Sequence, residues 1–213
     1  MSTDVDTMKA GRTVPPHFEF YEYPVMKFVT ALDNYQEQYD TFIADNEKYT
    51  AYFLDVLVRD HYKPGDTVLI LVKRVRHAKA VIQKLLKYNL YAEEYSGAVH
   101  RDARLDLKSE YQNGEVPILV ATEQTFSVGQ DVPRITTLLN LGGGLSADRE
   151  KQKIGRGLRS FEDKEYVTII QPYITGHKWL ARHSAQRLAL ARRYKTGKVT
   201  IHPYQARPGL DLI

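Results

Sequence analysis

One octet of the sequence, residues 152–159, combines the residue types and the spacing of a phosphate-binding surface. On an α-helix of about 3.6 residues per turn, Gln152, Arg156 and Arg159 lie at i, i+4 and i+7 and share one face. Each guanidinium is a planar, permanently charged fork that can donate to two phosphoryl oxygens at once. Gly155 costs a helix about 1 kcal/mol relative to alanine, which favours close approach of a ligand or another backbone there. Taken alone, the octet fits a solvated basic helix face equally well.

The composition describes a folding chain without thiol chemistry. The 213 residues are 43% hydrophobic and 11% aromatic, enough apolar surface for one domain with a small appendage. The absence of cysteine excludes disulfides, thiolate metal sites and a cysteine nucleophile, and agrees with a reducing compartment. Apolar runs such as residues 68–72 are too short to span a bilayer. The net charge of +4 allows a polyanionic partner without identifying one.

The positioning elements follow from the alternation of apolar runs and helical patterns. The predicted strands are 67–72, 90–95, 116–121, 135–141 and 165–171, and the predicted helices are 46–61, 77–88, 102–111, 146–158 and 178–194. Strands that are apolar on both faces and alternate with helices are typical of a parallel sheet covered on both sides. The sequence therefore predicts the α/β fold class, with helices on both faces of a parallel β-sheet.

The chain divides into three predicted parts. Residues 1–40 comprise an N-terminal arm or linker and a strand at 17–23. Pro24 stops this strand and indicates that it lies at the edge of the sheet. Residues 41–196 form the α/β domain, and 197–213 form a C-terminal tail.

In a parallel α/β sheet, ligands bind beyond the carboxyl ends of the strands. Four loops should therefore lie along one rim, namely 73–75, 95–97, 121–123 and 141–146, with the octet's helix directly after the last. Lys73 and Arg74 follow a buried strand and could grip a nucleic-acid backbone, or could be solvated loop charges.

Two further patterns give weaker signals. Residues 142–144 are three glycines that could bind phosphate through backbone amides at a helix start. A tight connection between strand and helix is the commoner reason for such a run, and the acidic Asp148 in the first turn disfavours an anion. His177 and His183 are six residues apart and lie on different helix faces, so no metal site is predicted.

The order of these loops resembles the second RecA-like domain of superfamily 2 helicases and translocases, over about residues 40–195. The octet fits motif VI, whose arginines reach across an interdomain cleft to the γ-phosphate of ATP. Residues 69–73 resemble motif IV, and 95–97 with Arg101 resemble the block that follows it. The resemblance implies a RecA-like fold and phosphoryl transfer, in which catalysis consists mainly of positioning and charge stabilisation.

Residues 120–122, followed by 129–133, resemble motif V. There the threonine region touches the nucleic-acid backbone and the aspartate approaches the nucleotide ribose. Val128 stands where the helicase pattern has an arginine just before the motif V glycine.

The resemblance implies a role for each matching residue. Arg159 is the arginine finger, with Arg156 beside it and Gln152 aligning the γ-phosphate. The implied ATP-binding residues are Gly129, Asp131 and Gly155, and the implied nucleic-acid-binding residues are Lys73, Arg74, Ser96, Gly97, Arg101 and Thr122. No residue is assigned to a metal.

Two parts of an ATPase are missing from the sequence. No Gly-x-x-x-x-Gly-Lys-Ser/Thr loop is present, because residues 197–200 lack both the upstream glycine and the adjacent hydroxyl. No Asp-Glu pair ends an apolar strand. The resemblance places both parts in an upstream RecA-like domain, so ATP and Mg²⁺ would be bound only together with that domain. We expect the isolated chain to hydrolyse little or no ATP.

The resemblance thus implies the C-terminal motor domain of an ATP-dependent DNA helicase. Within the family, the sequences of residues 11–16 and 183–187 most resemble those of the UvsW-type remodelling helicases. The implied partners are the upstream domain of the same chain and a nucleic acid, with DNA preferred and RNA left open, and with no membrane. A role in DNA repair or recombination in the cytoplasm of a bacterial or phage-infected cell would follow. The alternative is a non-catalytic RecA-like module that binds nucleic acid or protein. A small-ligand enzyme ranks last, since no nucleophile and base fall together on the rim.

Overall fold

The computed structural model describes residues 13–25, 34–126, 132, 134–142, 159–161 and 164–207. The strands within this part are Pro16–Pro24 (β1), Val68–Val72 (β2), Ala92–Tyr95 (β3), Ile118–Thr122 (β4), Thr137–Asn140 (β5), Val167–Thr175 (β6) and Lys198–His202 (β7). The α-helices of the same part are Tyr35–Tyr39 (α1), Glu47–Val56 (α2), Val75–Leu86 (α3), Arg101–Asn113 (α4), Glu123–Phe126 (α5) and Lys178–Ala191 (α6). π-Helical turns extend α1 over Asp40–Ala44 and α2 over Leu57–His61.

The seven strands form one sheet in the order β3-β4-β2-β5-β6-β1-β7, and each strand pair is parallel. The predicted α/β class and the parallel sheet are confirmed, and the six predicted strands are all present. The predicted helix 146–158 lies outside the described residues. None of the helices that the described residues form combines the length and the apolar character that a membrane span needs.

The sheet separates two buried apolar clusters, which explains the continuous apolar character of β2. Side chains alternate between the two faces of a strand. Ile70 and Val72 pack in the cluster that includes α2 and α3, whereas Leu69 and Leu71 pack in the cluster that includes α4. A strand covered on both faces must be apolar at every position, which is why its sequence shows no alternation.

β1 is an interior strand, so the predicted edge position is wrong. It pairs with β6 along residues Pro16–Pro24 and with β7 on its other side. Both of its faces are buried, with Phe20 on one and Tyr23 on the other. Pro24 ends the strand without marking an edge, because it occupies the last position of the ladder. The edge belongs to β7, which lies within the predicted C-terminal tail and was not predicted as a strand.

The segment from Asn34 to Ala44 forms helical structure that periodicity did not predict. Asn34 caps α1 by accepting a hydrogen bond from the backbone N–H of Glu37 at 2.9 Å. Tyr39 and Ile43 are buried against the sheet, which anchors this short segment beside the end of β2. Its carboxylates and phenols therefore face the rim loop described next.

Candidate functional site

The carboxyl ends of β2, β3 and β4 bring the predicted nucleic-acid-binding residues together. Val72 is the register partner of Thr122, so Lys73 leaves β2 beside the end of β4. β3 borders β4 on its other side, and Ser96 leaves that strand at the same level. The expectation that these loops share one rim is confirmed for the described residues. Residues 143–146, also expected there, lie outside them.

The Ser96 loop is internally braced but leaves space at Gly97. Ser96 is buried, its Oγ accepts a hydrogen bond from the Ala98 N–H at 3.1 Å, and its carbonyl accepts one from Arg104 Nη1 at 3.3 Å. A Cβ at Gly97 would meet nothing closer than Thr125 Oγ1 at 4.0 Å. Packing within the described residues therefore does not require glycine at this position, and the absent side chain leaves the backbone open to a ligand.

Thr122 lies below the surface of the rim. Its side chain is buried, and its Oγ1 donates to Thr125 Oγ1 at 2.8 Å across the start of α5. The side chain of the next residue, Glu123, lies against Gly142 just after β5, so that a Cβ at Gly142 would collide with its carboxylate. A side chain at position 142 would therefore require the flexible Glu123 side chain to move. The nucleic-acid contact predicted for Thr122 stays a prediction.

Lys73 is held by two tyrosines of α1. Its backbone N–H donates to Tyr39 Oη at 3.1 Å. Its ammonium lies 4.5 Å from the ring centre of Tyr35 and 5.2 Å from that of Tyr39, within cation–π range. Burial raises the pKa of Tyr39 well above its ordinary value, so the phenol stays protonated. The lysine ammonium is therefore oriented by neutral rings.

Arg74 and Arg76 are held by carboxylates of the π-helical turn. Arg74 donates from Nε and Nη2 to the two oxygens of Asp40, at 2.9 and 3.1 Å. Arg76 donates in the same way to Asp45, at 2.6 and 3.1 Å, and its Nη2 also lies 2.9 Å from Asp40 Oδ1. The hydrogen bond from Arg74 lowers the pKa of Asp40, which remains ionised. Asp40 thus bridges two guanidiniums.

Arg101 begins α4 at the same edge of the sheet and is exposed. The helix is capped by His100, whose Nδ1 accepts a hydrogen bond from the Asp102 N–H at 3.4 Å. A cation at a helix N-terminus is disfavoured by the helix dipole. An anion bound nearby would be attracted by both the dipole and the arginine.

Of the octet that suggested an arginine finger, the structure describes Arg159. This residue is exposed and its backbone forms an isolated antiparallel bridge with Thr13. The other proposed ATP-site residues, Gln152, Gly155, Arg156, Gly129 and Asp131, lie outside the described residues. The catalytic and nucleotide-binding roles stay predictions.

A second polar cluster lies at the β7 end of the sheet, between β1, β7 and the π-helical turn after α2. It lines a cavity of about 390 Å³. Tyr21 Oη is 2.8 Å from His61 Nε2, and its ring stacks on His202 at 4.2 Å. His202 Nε2 lies 2.7 Å from Glu19 Oε2. Among the described residues, no group of three or more His, Cys, Asp or Glu side chains is arranged to hold a metal ion.

Sequence reasoning missed Tyr35, Tyr39 and Asp40, which hold the rim cations. No motif marks them, and Asp40 is 34 residues from Arg74 along the chain. The available signal was the cap at Asn34 followed by tyrosines four residues apart, which is typical of one helix face.

Comparison with known proteins agrees with this architecture. A family model described as the helicase conserved C-terminal domain matches residues 48–160. The ATP-dependent RNA helicase dbp3 of Schizosaccharomyces pombe is 29% identical over 139 residues, which are 63% of this chain and 24% of that protein. The chain therefore spans about a quarter of the length of this relative.

Solved structures with a similar fold include the following two. T4 UvsW superposes with a TM-score of 0.69 at 17% identity, over 88% of this chain and 42% of that one. The C-terminal domain of the DEAD-box protein Dbp5 superposes with a TM-score of 0.56 at 14% identity, over 90% of this chain and 91% of that domain. At these identities the likeness establishes the RecA-like fold. Because the family model covers more than half of the sequence, the chain belongs to the helicase conserved C-terminal domain family and is the C-terminal RecA-like domain of a superfamily 2 helicase.

Proposed function

We propose that this chain is the C-terminal motor domain of an ATP-dependent DNA helicase or translocase. It would supply Arg159 and Arg156 to an ATP held by an upstream RecA-like domain, and the rim would form part of the nucleic-acid track. The observation that carries the proposal is the gathering of Lys73, Ser96 and Thr122 at one sheet edge by strand register. In parallel α/β sheets this edge is where ligands bind.

The rim has the chemistry expected of a surface for a phosphate backbone. Lys73, Arg74 and Arg76 offer charged donors, and the partly exposed arginines can donate to phosphoryl oxygens. Contacts of this kind position a nucleic acid without reading its sequence. A translocase needs such contacts, because it must accept every sequence along which it moves.

The finger residues would act on charge that develops during phosphoryl transfer. An arginine supplied from a second domain stabilises the transition state and can raise the rate by about 10³–10⁵-fold. The finger is in place only when the cleft between the domains closes, so hydrolysis becomes coupled to domain motion. ATP and Mg²⁺ would be held by the upstream domain, because this sequence has neither a phosphate-cradling loop nor an Asp-Glu pair.

The proposed substrate is DNA, in keeping with the UvsW-like sequence phrases 11–16 and 183–187. The relative from S. pombe carries the name of an RNA helicase, so RNA is the competing substrate. The two are separated by equilibrium binding of single-stranded DNA and RNA oligonucleotides of the same sequence at one salt concentration. Tighter binding of RNA would replace DNA in the proposal.

The finger is tested in the full-length protein that includes the upstream domain. Arg159→Ala should lower nucleic-acid-stimulated ATP hydrolysis by about 10³-fold or more with little change in ATP affinity. Arg193→Ala, which removes an exposed arginine just after α6, is the matched control and should retain activity. ATP hydrolysis by the Arg159→Ala protein at the wild-type rate would reduce the chain to a non-catalytic binding module.

The track is tested separately on the chain itself. Lys73→Ala should weaken binding of single-stranded DNA on the order of tenfold, and it should reduce the slope of log Kd against log salt by about one. If Lys73→Ala binds DNA as the wild type does, the rim is not the track, whatever the outcome for Arg159.

A further inference from the structure

We propose that Asp40 is a positioning residue for nucleic-acid binding, which holds the guanidiniums of Arg74 and Arg76 in the orientation that meets phosphate. This inference rests on the proposed function of the rim. Asp40 lies outside residues 48–160, which the family model matches. It belongs to a segment that packing, rather than a motif, brings to the site.

Asp40 is itself firmly placed. It follows Tyr39, which is fully buried and whose Oη accepts a hydrogen bond from the backbone N–H of Lys73. The backbone N–H of Asp40 remains within the helix and donates to the carbonyls of Gln36 and Glu37. Two adjacent residues of the segment thus contact two adjacent residues of the rim loop: Tyr39 contacts Lys73, and Asp40 contacts Arg74.

The hydrogen bonds leave the outward part of each guanidinium available. Arg74 uses Nε and Nη2 for Asp40, and Arg76 uses Nε and Nη2 for its two carboxylates. Among the described residues, neither Nη1 takes part in these bonds. Each Nη1 carries two N–H donors, so the pair can present up to four donors to an incoming phosphate while the forks stay formed.

The bridge also holds together two groups that repel each other. The like charge of Arg76 lowers the pKa of Arg74, but the hydrogen bond to Asp40 more than offsets this, so the pKa of Arg74 is raised overall. Long arginine side chains lose rotamer freedom when they bind. A carboxylate that has already ordered them reduces this loss, which is how preorganisation increases affinity.

The sign of one measurement separates positioning from simple charge. If Asp40 only contributed negative charge, its removal would make the rim more positive and would tighten DNA binding. If it positions the arginines, its removal releases Arg74 from Arg76, which Asp45 still holds, and binding weakens although the net charge has become more positive. The two readings predict opposite changes in Kd for the same substitution.

The experiment is fluorescence-anisotropy binding of a single-stranded DNA oligonucleotide to the intact chain at several salt concentrations. Asp40→Asn should weaken binding about threefold to tenfold, and Asp40→Glu should recover part of the loss. Glu115→Gln is the control. It makes the same charge change at an exposed residue before β4, at the opposite end of the strands, and should bind as tightly as the wild type or slightly more tightly.

Arg74→Lys provides a second route that leaves Asp40 intact. It keeps the charge but removes the planar fork, and it should weaken binding by a similar factor. In the Asp40→Asn/Arg74→Lys double variant the two losses should be less than additive, because both remove one interaction. Circular dichroism and thermal melts check that each variant is folded.

Tighter or unchanged binding by Asp40→Asn, or additive losses in the double variant, would overturn the positioning role while leaving the track proposal standing. A wild-type chain that binds neither DNA nor RNA would instead overturn the proposed track, and Asp40 would then have no phosphate-binding group to position.

Discussion

Two arginine–aspartate forks in this molecule have similar chemistry but different surroundings. At the rim, Arg74 pairs with Asp40, and the arginine side chain is 28% exposed. Beside the cavity at the β7 end of the sheet, Arg207 pairs with Asp60 and lies near Asp55, and its side chain is 14% exposed. The comparison shows that an ion pair alone does not identify a site. What distinguishes the rim is that its guanidinium is more exposed to solvent.

Several polar side chains near Arg207 contact one another. Tyr21, His61, His202 and Glu19 form a chain of contacts between β1, β7 and the turn after α2. This chain fastens the last strand and the segment after it to the sheet. We therefore expect substitutions there to change stability, and substitutions at the rim to change binding.

The largest effect is expected from Tyr21→Ala in the β1–β7 cluster. Tyr21 is buried, stacks on His202 and contacts His61, and truncation of a buried aromatic side chain costs about 3–5 kcal/mol. Chemical denaturation should show this loss, whereas any folded fraction should bind DNA normally. Tyr91→Ala, at an exposed tyrosine, should change the free energy of unfolding by less than about 0.5 kcal/mol. A DNA-binding defect in folded Tyr21→Ala protein would blur the distinction between the two regions.

Acid should destabilise the packing of α3, the helix that follows Lys73 and Arg74, through His77. This histidine is buried, and its Nε2 lies 3.1 Å from Thr50 Oγ1. Burial lowers its pKa from 6.5 to about 4. The unfolded chain therefore binds the proton more tightly, so the stability due to neutral His77 is complete above pH 6.5 and is lost as the pH falls toward 4. The loss is about 3 kcal/mol.

Urea denaturation between pH 7 and 4 measures this dependence. His77→Gln should show a flatter curve than the wild type over that range. His100→Gln, at an exposed histidine, should retain the wild-type slope. Equal slopes for wild type and His77→Gln would assign the acid sensitivity to other groups.

A smaller free-energy change, confined to binding, is expected from Arg74→Ala. Loss of one phosphate-contacting guanidinium should weaken DNA binding on the order of tenfold, or about 1.4 kcal/mol. The free energy of unfolding should change by less than about 1 kcal/mol, because the pair with Asp40 is partly exposed. A large drop in stability with unchanged affinity would reverse the roles of the two forks.

The smallest effect is expected from Arg207→Ala. Its fork to Asp60 is partly screened by solvent, so we expect a loss of about 1 kcal/mol in the free energy of unfolding. The hydrogen bond from Arg207 lowers the pKa of Asp60. This stabilisation is therefore present above the usual aspartate pKa and disappears as the pH falls through the lowered value. Thermal melts at pH 7 and pH 3 should differ less in the variant than in the wild type. DNA affinity should be unchanged at pH 7.

The α/β class and the rim could be predicted because both depend on local patterns. The run at β2 is apolar at every position, which indicates a strand covered on both faces, and Lys73 follows it directly. The same logic placed Ser96 and Thr122 at the ends of their strands. Hydrophobic periodicity is a property of residues that are close in the sequence, so it can be recognised without knowledge of the fold.

The same logic failed where stability comes from distant partners. β1 looked like an edge strand because Pro24 closes it, and β7 showed too little apolar character to be recognised within the tail. Each strand is stabilised by pairing with the other, although they lie at opposite ends of the chain. The helical segment beginning at Asn34 was missed because it is short, and packing rather than propensity holds such segments in place.

The sequence by itself determined the type of fold, the alternation of strands and helices in the α/β part of the chain, and which residues follow the carboxyl ends of the strands. It also carried the motifs that place the chain among helicase C-terminal domains. Tertiary structure alone decided that β1 lies between β6 and β7, and that Asp40 bridges Arg74 and Arg76 at the rim. The physical reason is that periodicity records which face of an element is buried, whereas hydrogen bonds and ion pairs between remote residues depend on how those faces are assembled.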